Sequence, residues 1–240
     1  MEEEYKEPLV TEQPQTRPAK PNCCESFKEL ASIKEKWQLT VVLLIKFFES
    51  FAYFIISSVF TLYLTDQFAI SDLDAGIYYA TYNFLTAGYG ILLGQVIDRL
   101  GVKTSLAIAV SLAITGRLLI FLANSEVFFI VLMFSALAIG TSVVIPALQI
   151  AIKRITTPVT RPAAFSLFYI FMNLAAMTSG WIIDALRSRF PRNPDNSLTG
   201  PWWDLGLVSF QFTYERAVIL TSFSVSLGMI PAVFCCLKST

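Results

Sequence analysis

The chain has 240 residues, is 55% hydrophobic and has a mean hydropathy of +0.59, well above what a soluble domain of this length carries. Its 18 basic and 18 acidic residues cancel to zero net charge, and it contains no His, which excludes His-based metal sites and His general bases. The basic residues are dispersed through a tail and several turns, so nucleic acid is not an expected partner. No nucleophile–base pair, metal cluster or phosphate-binding loop is visible, so neither an enzyme nor a cofactor is expected.

Residues 1–37 are polar and Pro-bearing and begin Met1-Glu2-Glu3-Glu4. They lack the basic and short apolar regions of a secretory signal and read as a disordered cytosolic tail. The four Cys form two adjacent pairs, Cys23-Cys24 and Cys235-Cys236. Neighbouring Cys rarely bridge and the spacing suits no metal, so juxtamembrane acylation is the one modification to consider.

Residues 38–240 read as an all-α polytopic membrane bundle. A bilayer core of about 30 Å needs roughly 20 apolar residues per helix. Six segments qualify, at about 39–64, 74–97, 104–123, 127–152, 162–186 and 214–237. The runs are continuous rather than alternating, which excludes a membrane β-barrel. An outer loop at 187–213 separates the last two spans, and Trp202-Trp203 in it are expected at headgroup level.

Orientation follows from the short loops. Lys34, Lys36, Arg99, Lys103, Lys153, Arg154, Arg161 and Lys238 fall on one side, and the opposite loops 65–73 and 124–126 hold acids and no bases. The positive-inside bias then places both termini in the cytosol. Arg187, Arg189, Arg192 and Arg216 dissent, since they fall on the outer side.

Charges inside the spans are expensive, about 2.5–3.5 kcal/mol each, and more often mark a pathway than a purely structural pair. Lys46 and Glu49 in span one are three residues apart and share a helix face, which Ser50 and Tyr53 extend. Arg117 in span three comes out about a turn further across. The expected arrangement is a polar cluster with Glu49 between Lys46 and Arg117. Span two adds Tyr79, Asn83, Thr86, Gly90 and Gly94 at helical spacing, and span five adds Ser166, Tyr169, Asn173, Gly180 and Asp184. The glycines suit helix packing; the amides and tyrosines suit packing and solute contact equally. Pro146, after Gly140, predicts a kink or local unwinding in span four.

Between spans two and three runs Gly94-Gln95-Val96-Ile97-Asp98-Arg99-Leu100-Gly101-Val102-Lys103. This turn resembles the signature loop of the major facilitator superfamily, G-x-x-x-D-R-x-G-x-[KR]. The resemblance implies one half of a twelve-helix fold. In it Gly94 allows close helix approach, Asp98 docks on a helix terminus or basic partner, and Arg99 and Lys103 hold a cytosolic gate. Gly101 completes the motif.

Within that superfamily, Arg161-Pro-Ala-Ala-Phe165-Ser166-Leu-Phe-Tyr169-Ile-Phe-Met-Asn173 looks like the fifth helix of proton-coupled oligopeptide transporters, R-x-x-x-F-S-x-F-Y-x-x-x-N. Glu49-Ser50-Phe51-Ala52-Tyr53-Phe54 looks like part of their first-helix motif, E-x-x-E-R-F-x-Y-Y. Lys46 stands where the first Glu belongs, Ser50 replaces the Arg and Phe54 the last Tyr, so the family's coupling machinery does not carry over intact. The implied function is a secondary carrier for a small organic solute, peptide being one candidate. Lys46, Glu49, Tyr53, Tyr79, Asn83, Arg117, Tyr169 and Asn173 are its substrate or coupling candidates. A truncated chain, or one that pairs with a second half or second copy, is expected. The alternative is a transport-incompetent six-helix protein that binds or regulates a partner.

Overall fold

The structure, a computed structural model, describes residues 29–30, 35–190, 201–204 and 209–236. Most of the tail, together with Arg192 and Lys238, lies outside the described residues, as do Cys23 and Cys24.

Six long helices follow one another: α1 Lys36–Phe68, α2 Asp72–Leu100, α3 Val102–Leu122, α4 Glu126–Ile155, α5 Arg161–Arg189 and α6 Tyr214–Phe234. Five are long and apolar enough to cross a bilayer, by length and composition. The exception is α2, whose 29 residues are long enough but include Tyr78, Tyr79, Thr81, Asn83, Thr86 and four glycines. These side chains lower its hydropathy while leaving its helical span intact.

The helix ends have local causes. Ser71 caps α2 by accepting a bond from the Asp74 N–H at 3.2 Å, and Asp72 and Asp74 complement the helix dipole. Gly101, at φ 80° and ψ 159°, lets the chain turn directly from α2 into α3. That backbone region is open essentially to Gly alone. Pro162 stands in the first turn of α5, where its missing N–H costs nothing. Thr213 caps α6 by accepting from the Arg216 N–H. Between α5 and α6, the strands Trp202–Asp204 and Ser209–Gln211 pair antiparallel, with Trp203 opposite Phe210. The segment expected as a loop at 187–213 therefore begins as the last turn of α5 and contains a small hairpin. Trp203 stacks on Phe212 at 4.4 Å, and Trp202 is exposed.

Helix α1 is the axis of the bundle. It packs against α5 and α6, while α4 packs against α3 and α2. Two-thirds of the apolar stretch of α1 is buried (67%), against 17% for α5, whose Tyr169, Ile170, Leu174, Met177 and Trp181 face outward. The core is split by depth. One cluster joins Val42 and Ile45 to Leu106, Leu148, Ile152 and Phe168; another joins Phe60, Tyr63 and Leu64 to Phe121, Phe129 and Met133. On α1 the stretch between them contains Lys46, Glu49 and Ser50, all buried.

Contact between α3 and α4 is backbone on backbone. A Cβ on Gly140 would lie 2.6 Å from the Ala113 nitrogen, and one on Gly116 3.1 Å from the Leu137 nitrogen. Small residues permit this approach, which supplies the dispersion contacts that hold helices together in lipid. Nearby, residues Met133–Leu137 form a π-helical turn. The π-helical irregularity of α4 thus lies there, and helix continues without unwinding through Pro146 from Ala138 to Ile155. Pro146 still has a local effect: lacking an N–H, it cannot donate the helical bond to the Ser142 carbonyl.

Candidate functional site

The charged layer differs from the expected order. Arg117 reaches across from α3 and grips Glu49 with both terminal nitrogens, Nη2 to Oε1 at 2.9 Å and Nη1 to Oε2 at 3.3 Å. Both side chains are sealed from solvent (1% and 4% exposed). A planar guanidinium fork matches the two carboxylate oxygens, so it outcompetes a lysine point charge for them. Lys46 is not in the expected pair. Its Nζ sits over the Phe168 ring of α5 at 4.7 Å, and among the described residues it makes no ion pair. Glu49 is therefore hydrogen-bonded from the Arg117 side only, Lys46 acts on it through space without direct contact, and Lys46 joins α1 to α5 through a cation–π contact.

A cavity of about 240 Å³ opens beside this layer. Lys46, Glu49, Ser50 and Tyr53 of α1 form one wall, with Thr86 of α2, Thr141 and Ile145 of α4 and Met172 of α5 opposite. A wider groove of about 460 Å³ adjoins it, sharing Tyr53, Thr86, Thr141 and Ile145 and adding Asn83, Gly90, Ser142 and Pro146. The Ser142 carbonyl left without its helical donor faces α2 here, 3.5 Å from where a Cβ on Gly90 would lie. A third cavity of about 130 Å³, bounded by Leu93, Ile97, Ile108, Leu112, other apolar side chains and Ser105, holds no charged group.

Hydroxyls tie the walls together. Tyr79 pairs with Ser57, and the Tyr82 hydroxyl lies 3.4 Å from Thr141 Oγ1. Asn83 donates to the Tyr79 carbonyl and lines the groove. Asn173 donates to the Tyr169 carbonyl, but both residues are exposed on α5 and line neither polar cavity. Of the candidates Glu49, Asn83, Arg117 and Asn173, Glu49 lines the smaller cavity, Asn83 lines the groove, Arg117 reaches the site through Glu49, and Asn173 lines neither space. Ser50, Thr86, Thr141 and Phe168 complete the site. Thr86 belongs to the polar stripe expected in span two, whereas Thr141 stands outside the expected stripes; both also bond carbonyls of their own helices, as ordinary helical threonines do.

In the signature turn, Asp98 and Arg99 are exposed and Lys103 half-buried, with no ion pair among the described residues. A Cβ on Gly94 would meet nothing within 4 Å, so the close approach expected there is not made within this chain. The backbone requirement falls instead on Gly101.

The dissenting Arg216 is wholly buried. It donates to the carbonyls of Phe121 (2.7 Å) and Ala123 (3.0 Å) and to Asn124 Oδ1 (2.7 Å), and lies over the Phe210 ring at 4.5 Å. It fastens α6 to the α3–α4 turn, so it is not a free loop charge of the kind the positive-inside count weighs.

Comparison with known proteins agrees with this architecture. The profile of the Major Facilitator Superfamily matches residues 42–233. No curated protein matches the chain. A solved structure from work on substrate recognition in proton dependent oligopeptide transporters superposes with TM-score 0.70 at 15% identity, covering 86% of this chain and 43% of that one. A bacterial homologue of the human drug peptide transporters gives 0.67 at 17%, covering 87% and 44%. A POT family transporter in complex with 5-aminolevulinic acid gives 0.63 at 19%, covering 81% and 36%. At such identities the likeness is one of fold. The chain spans about two-fifths of the length of these structures, and its six helices have the architecture of one half of a twelve-helix fold.

Proposed function

The chain belongs to the Major Facilitator Superfamily, and from that premise we propose that it forms one half of a secondary carrier moving a small organic solute across a bilayer. Membership in this transporter family supports a multi-pass membrane protein with a transport role. The observation that carries the reading is the cavity beside Lys46 and the Glu49–Arg117 pair. Buried charge at mid-membrane next to an open space is costly, and a pathway gives it a use. In alternating access, two halves rock around a midplane site, and Tyr53, Tyr79, Asn83 and the Glu49–Arg117 pair lie at that level. Tyr169 and Asn173, on the exposed face of α5, are then contacts toward a second half. Gly94, Asp98, Arg99, Gly101 and Lys103 form a cytosolic gate, with both termini on the same side as that turn, as an even number of crossings requires.

Uptake into proteoliposomes by the full-length carrier that contains this half, screened with labelled small carboxylates, amines and dipeptides under an imposed pH gradient, tests the reading. Accumulation of at least one solute is expected. Glu49→Gln, compared at equal amounts of folded protein, should remove the dependence on the gradient; unchanged pH dependence would exclude Glu49 as a proton carrier.

A second reading, a bundle that acts by pairing with a partner, is favoured by the outward apolar side chains of α2 and α5, among them Phe84, Ile91, Leu92 and Trp181. Absence of uptake together with a stable complex in crosslinking would select it.

A further inference from the structure

We propose that the cavity beside Lys46 takes a solute bearing one carboxylate, with the Lys46 ammonium as its counter-charge. This rests on the solute-carrier reading and names its substrate class.

The argument begins with charge. Between Asp74 and Asp98 of α2, Glu126 and Lys153 of α4, Arg161 and Asp184 of α5, and beyond Arg216 in α6, the helices contain no Asp, Glu, Lys or Arg. The middle of the bundle therefore holds Lys46, Glu49 and Arg117, two cations and one anion. Arg117 engages both oxygens of Glu49. The positive charge left over is on Lys46, which is 3% exposed.

Geometry then says what could compensate it. The Phe168 ring occupies one side of the ammonium. An aromatic face attracts a cation but accepts only weakly, and an ammonium has three donors to place. The cavity opens on Lys46, with the Ser50 hydroxyl on the same wall; the Tyr53 hydroxyl there is engaged with Tyr79 and Ser57. A carboxylate placed there would meet a cation and the Ser50 hydroxyl. A neutral solute would leave Lys46 only the through-space attraction of Glu49, whose oxygens Arg117 already holds, and an ammonium would add repulsion. Phe54, Ile145 and Met172 give the remaining walls an apolar character suited to a carbon skeleton.

Matched probes test the charge. The chain, reconstituted in lipid nanodiscs, is titrated calorimetrically with butyrate, butyramide and butylammonium, and with benzoate, benzamide and benzylammonium. In at least one series the carboxylate should bind ten-fold or more tightly than its amide and its ammonium. Lys46→Gln should erase that preference, and Lys46→Arg should keep it. Circular dichroism and gel filtration establish that the Gln variant is folded. The proposal is overturned if an amide or ammonium binds as tightly as its carboxylate, if no carboxylate binds, or if folded Lys46→Gln retains the preference. Binding of amides or ammoniums alone would leave the solute-carrier reading standing; no binding by any probe and no liposome uptake would remove both.

Discussion

Arg117 and Glu49 are 68 residues apart in sequence and on different helices, yet they meet in a two-bond pair at 2.9 and 3.3 Å in the closed interior of the bundle. Removing one partner leaves the other charged and stranded, whereas removing both leaves only a packing problem. Arg117→Met is expected to cost about 3–5 kcal/mol, and Glu49→Leu a similar amount. The double variant should recover much of the loss. A double-mutant cycle on unfolding in detergent measures this; additive losses would mean that the pair carries no coupling.

Gly140 and Gly94 make opposite predictions from the same substitution. At Gly140 an added methyl would strike the Ala113 backbone, which cannot move aside without shifting α3. Gly140→Ala should therefore lower stability by about 1–3 kcal/mol through overpacking. At Gly94 the space is open, so Gly94→Ala should be neutral or slightly stabilising. Thermal midpoints of the two purified variants, side by side, decide it.

Gly101 tests the backbone of the turn between α2 and α3. Its φ of 80° with ψ of 159° is a Gly region, so Gly101→Ala should cost about 1–3 kcal/mol. Gly101→Asn should not rescue it, because Asn tolerates the left-handed helical region and not this one. A wild-type thermal midpoint for either variant would contradict the assigned conformation.

Arg216 donates to three acceptors in one planar arrangement. Arg216→Met should cost about 3 kcal/mol, the scale of hydrogen bonds from a buried charged donor. Arg216→Lys should recover little, since one compact ammonium cannot reproduce the fork. Hydrogen exchange should quicken in the turn at Ala123 and Asn124 and at the start of α6. Unchanged exchange there would show that Arg216 does not fasten that end.

Five of the six helices were legible in the sequence because hydropathy is additive along a helix, and each declares itself without reference to its neighbours. The second, rich in Tyr, Thr and Gly, falls short in hydropathy and stands on its length. The signature turn was legible for a similar reason, since Asp98, Arg99, Gly101 and Lys103 lie within six positions of one another. Lys46, Glu49 and Arg117 could be singled out as buried charges by their rarity in apolar segments.

Their partners could not be read the same way. Spacing made Lys46 and Glu49 neighbours on one helix, and the fold instead gave Glu49 to Arg117 and Lys46 to the face of Phe168. Thr141 looked like any helical threonine until α2 and α4 brought it to one cavity with Thr86. Arg216 looked like a loop charge until the α3–α4 turn closed over it. The sequence by itself determined the class of fold, the number of helices and which residues pay the cost of charge in lipid. Only the tertiary structure decided which of those charges are neutralised. Pairing depends on the rotation and depth of each helix against the next, and these are set by backbone-close contacts such as Gly140 on Ala113, which single-helix periodicity does not encode.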